Sequence, residues 1–140
     1  MNKKVLDFTA KHRVCTLSVL LKNGSPHSAA MHYSHSDTPF EIYIQTENTS
    51  KKCEALLGGK STKASFVIGF SEEEFKTLQM DGEIKTLDKK HLKSVHKIHY
   101  KKLPDAEQWK DDPATLFLIF KPKWYRYTEY KPKFFKIESK

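Results

Sequence analysis

A mostly β fold, a six-stranded antiparallel split β-barrel with two or three short peripheral helices, is what this sequence predicts. Three observations lead there. Stretches that alternate apolar and polar residues recur at short intervals, as strands buried on one face do. Turn-forming pairs such as Asn23-Gly24, Thr38-Pro39 and Gly58-Gly59 separate them. Nine Phe and six Tyr raise the aromatic share to 12%, and bulky rings favour strands.

The elements follow in order. Val5 to His12 reads as a short amphipathic helix with Val5, Leu6, Phe8 and Thr9 on one side. Arg13 to Lys22 alternates, with Cys15, Leu17, Val19 and Leu21 on one face, so a half-buried strand is expected. Asn23-Gly24 turns it into a return strand over Ser25 to Ser34, whose centre, Ser28-Ala29-Ala30, is small enough for a ligand to come close. Ser36 to Pro39 is a turn, and Phe40 to Thr46 a third strand. Asn48 or Thr49 can cap a short helix from Lys51 to Leu57, which Gly58-Gly59 ends. Strands are expected over Lys63 to Phe70, over Phe75 to Leu87 with a break at Gly82, and over Ala114 to Tyr130 with an interruption at Pro122. Asp88 opens a helix that runs to Lys102 and stops at Leu103-Pro104. Phe134 to Ile137 adds a short terminal strand.

At 140 residues, with no repeat, low-complexity tract or linker, the chain is expected to be a single domain over 1–140. No apolar run approaches the ~20 residues of a membrane span. The basic start Met1-Asn2-Lys3-Lys4 is followed by Asp7, Lys11, His12 and Arg13 rather than an apolar stretch, so the expected compartment is the cytoplasm. Cys15 and Cys53 form neither a metal spacing nor a disulfide framework, and both are read as reduced thiols. The net charge of +8 suits a phosphorylated ligand, nucleic acid or a lysine-rich surface. No helix-turn-helix, zinc or RNA-binding signature accompanies it, so nucleic acid is not the expected partner.

The strongest chemical signal is the end of the third strand. Thr46, then Ser50, Lys51 and Lys52, offer hydroxyl donors and positive charge, which a phosphate requires. A helix starting there would add unpaired N–H groups. The same spacing also suits a polar connection with solvated lysines, and spacing alone leaves both open. His91, His96 and His99 sit on the second helix among lysines, which disfavours a metal, so a solvated helix face is expected. On the return strand His32 points away from His27 and His35, which argues against joint chelation. Glu72 to Glu74 reads as a solvated turn, and Cys15 as a packed core thiol.

The order of these passages resembles the FMN-binding split barrels related to pyridoxamine 5′-phosphate oxidase. Four carry the resemblance: Pro26 to His32; Ile42 to Thr46 followed by Ser50-Lys51-Lys52; the glycine-broken Leu78 to Ile84; and Phe120 to Thr128. The resemblance implies that Ser50, Lys51 and Lys52 bind the phosphate of FMN, and that Thr46 and Gln45 line the ribityl chain or ring edge. It implies that the strand bearing His27, Ala29, Met31 and His32 passes the isoalloxazine. It further implies Thr77 or Gln79 at the flavin, and a homodimer in which Trp124, Arg126 and Thr128 come from the partner chain.

His27 and His32 stand where the oxidase itself has arginine and lysine, and the C-terminal Lys131 to Lys136 lacks its Arg/His pattern for the substrate phosphate. The implied function is therefore a flavin-dependent oxidoreductase of unknown substrate with a nicotinamide donor or small molecule as second reactant, not the oxidase itself. The alternative is a non-catalytic carrier of haem or a deazaflavin. No side chain stands out as an essential acid or base, so the catalytic residues are left unassigned, and no metal ligand is expected.

Overall fold

Residues 1–140 are described by a computed structural model. Helix α1 (Lys3–Lys11) is capped by Asn2, whose side chain accepts from the Lys4 N–H at 2.8 Å. It buries Val5, Phe8 and Thr9, the side its spacing predicted. Eight strands follow: β1 (Val14–Leu20), β2 (Pro26–His32), β3 (Ser34–Asp37), β4 (Phe40–Glu47), β5 (Ser61–Ile68), β6 (Lys76–Thr86), β7 (Thr115–Glu129) and β8 (Phe135–Glu138). They form one antiparallel sheet in the order β2-β1-β5-β6-β7-β4-β3, with β8 also pairing with β7. The sheet curls so that its two edges, β2 and β3, are consecutive in the chain. That seam is the split in the barrel.

The strand count of six is corrected to eight. Ser25 to Ser34 is not one return strand. At Tyr33 the chain leaves β2 and crosses to the opposite edge as β3. The Tyr33 ring is fully buried, its N–H donates to the Arg13 carbonyl and its hydroxyl to the Thr9 carbonyl, and these ties set the crossing. Ser36 and Asp37, expected in a turn, end β3, and Thr38-Pro39 make the turn. Gly24 occupies the tight β1–β2 turn at φ +84°, a conformation that favours glycine. Gly82 marks a β-bulge between β6 and β7, where a Cβ would fall onto the Lys121 backbone.

Inside the curl, alternate residues of each strand make the core. Leu17, Phe66, Ile68, Leu78, Ile44 and Phe120 are at most 1% exposed. Phe66 stacks on Phe120 with centroids 5.6 Å apart and meets the Tyr33 ring edge-on at 5.3 Å. Tyr43, Phe117 and Ile119 face the other way and pack beneath helix α2 (Leu92–Lys102), whose Val95 and Tyr100 complete a second, smaller cluster.

The helix expected from Asp88 is a 3₁₀ turn, Lys89–His91, followed by α2. Past Leu103-Pro104 the chain makes a further 3₁₀ segment, Pro104–Trp109, that the sequence reading did not anticipate. The helix after the third strand is also 3₁₀, Lys51–Gly59, and its cap position is Ser50 rather than Asn48 or Thr49. No helix is long and apolar enough to cross a membrane. Cys15 and Cys53 are both buried free thiols.

Candidate functional site

The expected residues fall in three places. The first is the end of β4. Thr46 Oγ1 lies 3.3 Å from Ser50 Oγ, and Lys52 Nζ donates to Ser50 Oγ at 3.1 Å. Ser50 Oγ also donates to the Glu47 carbonyl at 2.8 Å, which fixes the turn. Lys52 is drawn inside to 6% exposure, and burial lowers its pKa from the usual lysine range. An ammonium brought in with Ser50 as its side-chain partner retains two N–H donors for an anion. Lys51 is exposed beside it. Spacing could not choose between a phosphate site and a solvated connection; the inward turn of Lys52 separates it from a solvated lysine.

The second place is a groove at the barrel seam, a cavity of about 560 Å³ between the β2 edge and the 3₁₀ segment Pro104–Trp109. Met31, His32 and Gln45 line it, together with Arg13, His99 and Trp109. Successive residues point to opposite sides of a strand, so Gln45 faces this groove while Thr46 faces Ser50. The Gln45 amide donates to the Ala106 carbonyl at 3.1 Å, and its Oε1 is buried without a partner. Met31 is half-buried and packs against the main core, and His32 is exposed. Ala29 and His27 are half-buried on the same side of β2 as Met31, opposite Leu17 and Val19 of β1.

His99 was expected on a solvated face and is instead 1% exposed, a correction with a clear cause. It follows Val95 by four positions, so the helix turn that buries Val95 against Phe117 buries His99 too. Its Nδ1 lies 2.6 Å from Ser34 Oγ. Burial, with the nearby charges of Lys102, His96 and His32, pushes its pKa down to about 4, so the ring is neutral at pH 7. Burial with the Arg13 charge lowers Lys102 to about 8, where its Nζ sits 4.0 Å over the Tyr33 ring. The i, i+4 relation to Val95 was the available signal for His99; the clustering of histidines with lysines hid it. Glu72 to Glu74 form the expected turn, with Glu72 and Glu73 exposed, but Glu74 is half-buried and Lys11 and His12 bind its carboxylate at 3.0 and 3.2 Å.

The third place is the outer face of β6 and β7. Thr77 stands opposite Thr128, and Gln79 opposite Arg126. Thr77 and Thr128 are buried, and the Thr77 hydroxyl donates to the Ile68 carbonyl at 3.1 Å. Trp124 Nε1 and Arg126 Nη2 both donate to Glu138 Oε1, at 3.2 and 3.1 Å, while Arg126 Nε is buried without a partner. Pairing runs Ala30–Thr16–Val67–Gln79–Arg126 across five adjacent strands. Four interstrand spacings, about 19 Å measured along the curled sheet, separate Arg126 from Ala30. One chain therefore brings Thr46, Ser50 and Lys52 together, and Met31, His32 and Gln45 together, but leaves Gln79, Trp124 and Arg126 away from both.

A curled antiparallel half-barrel with short peripheral helices defines the class of fold. The pyridoxamine 5′-phosphate oxidase family model matches residues 1–129, and the chain belongs to that family. No curated protein matches the chain. Among solved structures it is similar to general stress protein 26 from Bacillus anthracis, with 22% identity and a TM-score of 0.69 over 96% of this chain and 97% of that one. It is similar to a Clostridium acetobutylicum protein related to general stress protein 26, with 18% identity and a TM-score of 0.70 over 96% and 92%. It also resembles a heme binding protein from Mycobacterium smegmatis, with 11% identity and a TM-score of 0.74, covering 98% of this chain and 59% of that protein. These likenesses share the fold.

Proposed function

We propose that this protein binds FMN along the barrel seam and acts as a flavin-dependent oxidoreductase. The observation that carries the reading is the convergence of Thr46, Ser50 and the inward-turned Lys52 at the end of β4. Thr46 offers its hydroxyl to the phosphate, while the Ser50 hydroxyl, which donates to the Glu47 carbonyl, accepts from Lys52 and holds that ammonium in place. Lys52 supplies charge in a partly desolvated setting, where the attraction is less screened than in water. Lys51 adds exposed charge.

From there the β2 strand, with His27, Ala29, Met31 and His32, guides the ring toward Gln45. Bound FMN supplies hydride or electron transfer at its ring, and the protein supplies orientation and electrostatics. The partner of the flavin is a nicotinamide donor or another small molecule.

The protein is proposed to work as a homodimer, in the cytoplasm. Gln79, Trp124, Arg126, Thr77 and Thr128 lie on the outer face of β6 and β7, across the sheet from the seam, and in this reading they reach the flavin from a second copy. Light scattering at micromolar protein tests this, and a monomer mass removes that half of the site. Purified protein is expected to be yellow or to quench added FMN fluorescence, and to bleach on adding NADH or NADPH. A colourless protein that leaves FMN fluorescence unchanged refutes the reading.

A carrier of haem or a deazaflavin is the second reading. The likeness to the Mycobacterium smegmatis heme binding protein favours it. Absorbance spectra after adding each cofactor separate the two.

A further inference from the structure

His99, which lines the seam groove, belongs to a buried polar pair that the phosphate site does not use. Ser34 Oγ and His99 Nδ1 lie 2.6 Å apart, and the two residues are 0% and 1% exposed. His99 Nδ1 is the one partner of the Ser34 hydroxyl. If Nδ1–H donated, the Ser34 O–H would be stranded in the interior with neither acceptor nor water, a costly arrangement. The Ser34 O–H therefore donates to Nδ1. A neutral imidazole carries one ring proton, so that proton is on Nε2. The ring is held neutral by burial and by the surrounding cations.

Nε2 has no protein partner, and it is not among the buried polar atoms sealed from solvent. His99 lines the groove, and Nε2–H is its one side-chain polar group without a partner. Met31, Leu103 and Trp109 add apolar walls. A fixed donor beside apolar walls matches a flat heterocycle whose edge carries an acceptor atom.

We infer that His99 is a ligand-contacting residue: its Nε2–H donates to an acceptor atom on the flavin ring edge. The inference rests on the FMN reading above and adds a donor from α2. One corollary concerns haem. With the proton on Nε2 that nitrogen has no lone pair to give, so His99 is not an iron ligand in this state.

The test uses the full chain labelled with ¹⁵N. Long-range ¹⁵N–¹H spectra of the histidine rings, with His99 assigned by its loss in His99→Gln, report the tautomer directly. The expected result is a protonated Nε2 and bare Nδ1 before FMN is added, and a shift of Nε2 at saturating FMN. In fluorescence titrations His99→Leu is expected to weaken FMN about tenfold, the equivalent of one hydrogen bond, and riboflavin by the same factor, because the contact is to the ring. His99→Gln, which retains an N–H donor, should stay within about threefold of wild type.

A protonated Nδ1, an Nε2 signal unmoved by saturating FMN, or unchanged binding in a folded His99→Leu overturns the inference while FMN binding itself stands. Failure of the wild type to bind FMN overturns both. The spectra of the wild type decide the matter even if His99→Leu does not fold.

Discussion

Removing the Lys52 ammonium is the sharpest perturbation of the proposed phosphate site. Lys52→Met preserves the apolar stem and deletes the charge. In the folded protein Nζ has Ser50 Oγ at 3.1 Å as its one side-chain partner, which leaves two N–H donors free for a phosphate. At 6% exposure the charge is poorly screened, so its contribution lies in the range for hydrogen bonds to charged groups, about 1.5–3 kcal/mol. At a factor of ten per 1.4 kcal/mol, FMN affinity should fall about 10- to 150-fold.

The control is Lys131→Ala. Lys131 sits 4.0 Å over the Phe75 ring, away from the phosphate residues, and removes the same unit of net charge. Its effect should stay within about twofold, because long-range attraction is screened at physiological salt. Quenching of flavin fluorescence measures both, with riboflavin as the ligand that lacks the phosphate. Equal losses for the two variants, or an equal loss of riboflavin binding in Lys52→Met, would show that Lys52 acts through general charge or packing rather than on the phosphate.

Three further outcomes concern the fold. Gly82→Ala forces a Cβ against the Lys121 backbone at the β-bulge and should destabilise by about 1–3 kcal/mol in urea unfolding; an unchanged midpoint would mean that the bulge relaxes freely. Phe66→Ala removes a fully buried ring that touches Phe120 and Tyr33, with an expected loss of about 3–5 kcal/mol by the same measurement. His99 makes stability depend on acid. Its pKa is about 4 when folded, below its unfolded value, so the unfolded chain binds more protons between the two and stability falls as pH drops through that window. Between pH 6.5 and 5 the loss from this group is roughly 1.5 kcal/mol, and His99→Gln should lose correspondingly less over the same interval; identical slopes would place the titration elsewhere.

The mostly β class was legible because half-buried strands write their period of two directly into the chain, as in Cys15, Leu17 and Val19 or Ile42 and Ile44. Breaks were legible where backbone chemistry demands them, at Asn23-Gly24 and at Gly82. The division of Ser25 to Ser34 was not, because what ends β2 is the burial of Tyr33 and its hydrogen bonds to Thr9 and Arg13, which are distant in the chain. The third strand and its Thr46, Ser50, Lys51, Lys52 sequence could be found by eye, yet the identical string suits a solvated turn.

The sequence by itself thus determined the composition of the candidate site and its position after a strand, since both are local properties. Only the tertiary structure decided which lysine turns inward, that His99 is buried against Ser34, and that Gln79, Trp124 and Arg126 lie across the sheet from the seam. Those are consequences of how a curled sheet brings β2, β4 and α2 to one edge. Local pattern cannot encode them, because the partners that bury each group come from other parts of the chain.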